Sequence, residues 1–291
     1  DRTGLDMDVV GCTAAACIER IVAERRAGVP IASMLDAGVV EVFAIKADGL
    51  TQPIGYLPSL ADKTVFRKNP LVDPEGHNIT QAPSFMALFV NTKLVKPGEE
   101  PRSYKDLLQP KWNKKISFGA VEVDAAPSRL YYYLTKYAGL DDSYFRALGG
   151  QVVFYVSDRL SSQAVARGEM TMTLGTGSTT MGPFALEGAP IKAIDMEEGV
   201  IGLQGSSLGL LKDAPHPNAS RVFINWLFSQ EGQTIYHKIR GTASFRKDVP
   251  SFEPLAVQLM PKKIIWTTAE EDMEVVKIQR SRVLKKLMTE K

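Results

Sequence analysis

Five consecutive small or hydroxyl-bearing residues, Gly175, Thr176, Gly177, Ser178 and Thr179, lie between a predicted strand at 171–174 and a predicted helix at 182–186. The first amides of a helix lack intrahelical acceptors, and the positive end of the helix dipole gathers at the same place. Such a turn can therefore hold a small anion. A single cap requires one Ser or Thr, so this run exceeds what capping needs. The arrangement recurs at Asp124 to Ser128, where Pro127 suits the first turn of the helix that follows, and at Thr13, which follows Gly11 and precedes a helix from 14. Ser84 opens one long apolar strand, and Ser206 with Ser207 sits in another. The candidate ligand contacts are thus Thr13, Ser84, Asp124, Ser128, Thr176, Gly177, Ser178, Thr179, Ser206 and Ser207. Arg159 could pair with an anion or with Asp158 or Glu169. Asp124 would repel an anion and suits an amine or hydroxyl, so a zwitterion satisfies the whole set.

Other chemistry finds little support. Tyr131, Tyr132 and Tyr133 suggest ferric iron, which phenolates bind, but successive helical side chains point about 100° apart and cannot all face one ion. Tyr133 and Tyr137 share a face instead. His77, His216 and His237 are scattered and form no metal set. Cys12 and Cys17, placed on one helix, would project about 140° apart, which predicts two packed thiols rather than a bridge. The chain has no nucleophile elbow, phosphate loop, zinc-protease pair or dinucleotide fingerprint. No catalytic residue, metal or cofactor is expected.

The elements that must position these turns alternate in kind. Residues 5–10 read as a strand and 14–27 as a helix stopped by Gly28, with Ile18, Ile21 and Val22 on one side. Prolines at 53, 58, 70 and 74 mark irregular connection. Strands are predicted at 84–90, 116–119, 152–155, 171–174 and 191–194, and helices at 103–108, 127–138, 144–148 and 161–167. This rhythm argues an α/β fold with a largely parallel core. The tail from 269 reads as one amphipathic helix, acidic early and basic late, with Val275, Ile278, Val283 and Leu287 as its buried stripe. A length of 291 residues suits two units. With 35 Lys+Arg against 33 Asp+Glu, nothing favours nucleic acid as a partner, and no apolar run of about 18 residues exists to span a membrane.

The segments SFMALFVNTKLVKPGEEPRSYKDLLQPKWNKKISFG, VSDRLSSQAVARGEM, LEGAPIKAIDMEEG and LLKDAPHPNASRVFINWLFSQEGQTIY carry a family likeness from Thr80 to about Val249. In that order they resemble the solute-binding proteins of bacterial ABC importers, in the branch of ferric-ion, thiamine, phosphonate and sugar-phosphate receptors. GCTAAACIERIVAERRAG resembles the Gly-Ser turn and helix after such proteins' second strand, which implies a cleft-facing role for Thr13 and a preceding segment of strand and helix.

The resemblance implies a type II periplasmic-binding-protein-like fold. Its two lobes would each be a mixed sheet flanked by helices, joined by two crossing strands near 84–91 and 200–211. Residues 1–89 and 207–291 would form lobe 1, with the C-terminal helices free to pack on either lobe, and 90–206 would form lobe 2. The implied function is capture of a small anionic or zwitterionic solute between the lobes and its delivery to a membrane permease. The receptor would be monomeric, and periplasmic or tethered outside the cell. Ferric-ion binding is an alternative, although ferric members place a tyrosine pair where Ser178 and Thr179 stand. A bilobal transferase acting on a phosphorylated or carboxylated small molecule is the other.

Overall fold

The computed structural model describes residues 4–12, 14–67, 71–121, 125–260 and 262–290. The chain runs α1 (Ala14–Arg26), β1 (Met34–Gly38), α2 (Val39–Ala47), β2 (Asn78–Met86), β3 (Leu88–Asn91), β4 (Ile116–Phe118), α3 (Ala125–Ala138), α4 (Asp142–Gln151), β5 (Val152–Phe154) and α5 (Asp158–Arg167). It continues through β6 (Met172–Leu174), α6 (Ser178–Leu186), β7 (Ile191–Ile194), β8 (Val200–Leu210), α7 (Pro217–Leu227), α8 (Gln230–Arg240), α9 (Pro254–Leu259), β9 (Ile264–Trp266), α10 (Ala269–Ser281) and α11 (Val283–Thr289). Short polar residues set many of these boundaries. Asp141 accepts hydrogen bonds from the Ser143 and Tyr144 amides at the start of α4, and Ser157 accepts one from Leu160 at the start of α5. Gly168 ends α5 at φ 79°, a left-handed turn that glycine enters without steric cost.

The chain forms two compact units, Asp1–Pro83 with Gln204–Pro250 and Ser84–Leu203 with Ser251–Lys291. The strands β2 and β8, neighbours in one sheet, each carry the chain from one unit into the other. In the first unit β1 pairs antiparallel with β8, with Met34 opposite Leu210 and Gly38 opposite Ser206. Its α1–α2 side buries Ile21, Leu35, Val42, Ile45 and Leu211 together.

The second unit holds a five-stranded mixed sheet in the order β5-β4-β6-β3-β7. There β4 runs parallel to β5 and to β6, while β3 is antiparallel to both β6 and β7. Phe118, Leu130, Phe145 and Leu148 are fully buried in its core, each such side chain stabilising the unit by roughly 1.5–3 kcal/mol. The C-terminal helices, whose place the sequence left open, pack here, α10 against α3 and α11 against α4.

Four expectations change. Residues 5–10 form no strand and are largely exposed. The β1–α2 stretch, which the sequence reading passed over, is a strand followed directly by a helix. The tail is two helices, because Arg282 takes a left-handed turn at φ 55° that stops α10 before α11 begins. Finally, Cys12 and Cys17 form a disulfide, with Cα atoms 5.7 Å apart. The helical projection failed because α1 starts at Ala14, so Cys12 lies outside the helix.

The α4–α11 contact depends on a missing side chain. A Cβ on Gly149 would lie 2.2 Å from the Met288 carbonyl oxygen, and backbone cannot rotate away. Gly149→Ala should therefore destabilise the protein by about 2 kcal/mol, the usual cost of overpacking, read as a lowered thermal midpoint. An unchanged midpoint would show that α11 does not seat on α4 this closely.

Candidate functional site

Three helices in the second unit begin where three parallel strands end. β4 leads to α3, β5 to α5 and β6 to α6, and the parallel pairing of β5, β4 and β6 brings their carboxyl ends to one edge. Ligands of open α/β sheets bind outside such an edge. Close contacts tie the three starts together. A Cβ on Gly175 would lie 3.5 Å from Pro127 in the first turn of α3, and one on Gly119 would lie 3.2 Å from the Asp158 Cα at the start of α5. Asp158 in turn accepts a hydrogen bond from the Thr180 hydroxyl of α6 at 3.3 Å.

The three starts differ in what remains free. Ser157 already caps α5, and Asp158 adds an acid to its first turn. The start of α6 has neither: Gly177 occupies the cap position with no side-chain hydrogen bond, and the first turn holds no acid. Its leading amides therefore have no side-chain cap from the cap residue itself. Gly177 is required by what lies next to it. A Cβ there would sit 2.8 Å from the Ser84 hydroxyl, which is 3.1 Å from the Thr179 hydroxyl. Ser84, Gly177 and Thr179 therefore form one hydroxyl-lined turn, with Thr179 exposed.

Other sequence-predicted residues serve different ends. Ser178 is fully buried, and its hydroxyl accepts from the Phe85 amide at 3.0 Å, stitching α6 to β2. Thr176 is also buried, 3.2 Å from the Ser162 hydroxyl. Ser128, near the start of α3, is 1% exposed and its hydroxyl has no partner. Arg159 stands exposed in the first turn of α5. Thr13 and Asp124 lie outside the described residues.

In the first unit, Ser206 is half-buried on β8, while Ser207 is buried with an unpartnered hydroxyl. Around Ser206 is a cluster that sequence reasoning missed. Gln81 donates to Asp36 at 2.9 Å, Arg240 lies 3.9 Å from the same carboxylate, and its guanidinium covers the Tyr236 ring at 5.2 Å. Shielding from water raises the Asp36 pKa, with Arg240 and Gln81 pulling the other way. The start of α2 is occupied by its own acid, since a Cβ on Gly38 would meet a Glu41 carboxylate oxygen at 2.3 Å.

The tyrosine run is structural. Tyr133 donates to Glu271 at 3.0 Å, Tyr137 donates to the same carboxylate, and Lys136 lies 2.7 Å from it. Against the upward pull of burial, these bonds hold Glu271 below the usual carboxylate range. Tyr131 donates to Asp142 at 2.7 Å. His237 is buried between Thr242 and Gln233, and burial lowers its pKa to about 4. Among the described residues no group of three or more His, Cys, Asp and Glu is placed to hold a metal ion. Two open surface grooves of about 490 and 590 Å³ run along Arg102, Asp195 and Lys262, away from every predicted contact.

One residue beside α6 gave no signal in the sequence. Glu253, just before α9, is fully buried, and neither carboxylate oxygen has a hydrogen-bond partner. It packs on Gly182 of α6, where an added Cβ would lie 3.2 Å from its Cγ. Burial pushes its pKa up to about 7, and the nearby Ser178 hydroxyl offsets only part of that.

The family described as bacterial extracellular solute-binding protein matches residues 17–239. An uncharacterized protein of Haemophilus influenzae is 26% identical over 200 residues, 65% of this chain and 56% of the relative, so the match spans little more than half of that protein. Among solved structures, the Trichodesmium protein IdiA or FutA, in complex with iron and citrate, aligns at a TM-score of 0.77 with 19% identity, covering 99% of this chain and 91% of that one. The periplasmic binding protein AfuA from Actinobacillus pleuropneumoniae, with fructose-6-phosphate bound, aligns at 0.73 with 18% identity, covering 98% and 90%. A ferric binding protein from Campylobacter jejuni aligns at 0.75 with 16% identity, covering 97% and 92%. At these identities the structural likeness establishes the fold, the type II periplasmic binding protein architecture.

The Ser84–Gly177 approach can be tested directly. Gly177 has φ −102° and ψ 160°, open to any residue, so Gly177→Ala should cost only about 1 kcal/mol of stability. Its methyl group should nonetheless swing the Ser84 hydroxyl off Thr179. A crystal structure of the variant with Ser84 unmoved would contradict the packing described.

Proposed function

The chain belongs to the bacterial extracellular solute-binding proteins, and from that premise we propose that it captures a small anionic or zwitterionic solute for the permease of an ABC importer. The observation that carries this reading is the start of α6, which sets an uncapped helix terminus, with no acid of its own in the first turn, beside the hydroxyls of Ser84 and Thr179. A helix terminus offers a negative group roughly half a positive charge and several oriented amides. The unpartnered Ser128 hydroxyl adds a donor near the neighbouring helix start. In the first unit, Ser206 stands beside a cluster holding both Arg240 and Asp36, which suits a solute carrying charges of both signs.

The protein works as a receptor, with no turnover of its ligand. Iron is the less favoured cargo, because Tyr131, Tyr133 and Tyr137 are committed to Asp142 and Glu271. The working form is a monomer that binds no nucleic acid and acts outside the cytoplasmic membrane, in a periplasm or tethered to the cell surface. The Cys12–Cys17 disulfide supports that location, since such bridges persist in oxidising compartments. No described helix is long and apolar enough to cross a membrane.

Native mass spectrometry of gently purified protein should show a bound organic solute bearing a phosphate, phosphonate or carboxylate group. A bound ferric ion, or release of an altered product, would overturn the reading. With that solute, Ser84→Ala combined with Thr179→Ala should weaken affinity at least about tenfold, near 1.4 kcal/mol, while the thermal midpoint of the unliganded protein stays within a few degrees. Calorimetry showing unchanged affinity would remove α6 from the binding site.

A further inference from the structure

We propose that Glu253 is a specificity-determining residue that couples anion binding at α6 to uptake of a proton. The inference rests on the reading of α6 as an anion site. Glu253 comes from a separate stretch of chain, yet its side chain does not cap α9, the helix it precedes. It turns instead onto α6, along the face shared by Ser178 and Gly182, and is completely shut from water there with both oxygens unpartnered.

Among the described residues of α6, α9, β7 and β2, no charge compensates it. α6 and α9 carry no charged residue. β7, which also packs against α9, carries only Lys192, which is exposed and bonded to Glu100 at 3.0 Å. Nearby β2 carries none. A buried carboxylate with no counter-charge, and with only the Ser178 hydroxyl near enough to offset part of its burial, is strongly disfavoured as the anion, in keeping with its pKa near neutrality. An anion seated on the first amides of α6 adds negative potential at the same helix and favours the protonated acid further. By reciprocity, the proton favours the anion equally. Charges roughly 10 Å apart at an effective dielectric of about 20 correspond to about a tenfold change in affinity.

The test uses sulfate, which stays doubly charged over the range examined. Binding to the whole protein is measured by calorimetry at about pH 5.5 and about pH 8.5, on either side of the Glu253 titration. The wild type should bind sulfate at least about tenfold more tightly at the lower pH, since the doubly charged ion interacts more strongly than a unit charge. Glu253→Gln should abolish most of that difference, and so should Glu253→Met, included because a buried amide lacking partners destabilises the fold. Wild-type affinity that ignores pH, or variants that keep the full pH dependence, would overturn the coupling while leaving the anion site standing. Absence of sulfate binding by the wild type at both pH values would overturn the coupling together with the anion site itself.

Discussion

Much of the second unit follows from the requirement that α6 begin against β2 without a cap of its own. The Met86–Gly177 bridge brings the two backbones together, and the Ser84 hydroxyl then fills the space where a Cβ would stand. An ordinary Ser or Thr at the cap would satisfy its own amides and stabilise the helix by about 1 kcal/mol. Glycine forgoes that, and the adjacent Ser84 and Thr179 hydroxyls bond to each other across the turn. Ser178 compensates structurally, holding α6 in place by accepting from the Phe85 amide. The hydroxyl that secures the helix and the hydroxyl exposed to solvent are thus successive residues with opposite duties.

The starts of α2, α5 and α6 are answered differently, and this sets where the helix dipole is left uncompensated by the helix's own residues. At the start of α2 the Glu41 carboxylate lies over Gly38, so the dipole is already answered from within. At α5 the same office falls to Ser157 and Asp158. Only α6 among these three has both positions open.

Composition and order made the α/β rhythm and the α6 turn legible, because clustered small and hydroxylic residues between a strand and a helix have few other uses. The reason for Gly177 was not legible, since it depends on a bridge to β2 that no local pattern announces. Ser178 and Thr179 look interchangeable in sequence, and only helix phase separates the buried hydroxyl from the exposed one. The cluster of Asp36, Gln81, Tyr236 and Arg240 draws on three distant stretches of chain. The disulfide was misread for a smaller reason: projection on a helical wheel presumes that both residues are helical, and Cys12 is not.

The C-terminal segment gives these local facts a common frame, because it braces two of the helices whose starts form the binding edge. α10 lies along α3 and α9 along α6, yet the two braces are built on contrary principles. The first is a satisfied ionic contact, with Arg129 on Asp272 at 3.0 Å and Glu271 gathering Lys136, Tyr133 and Tyr137. Every bond in it favours charge, so it holds α3 firmly over the range where the carboxylates are ionised. The second rests on one buried acid with no bond to either oxygen, and it is most stable when that acid is neutral. The usual remedy for such a burden is an apolar side chain of similar size, which would pack against Gly182 without penalty. A carboxyl in that place makes the brace on α6 depend on protonation, whereas the brace on α3 does not over the range where its carboxylates are ionised.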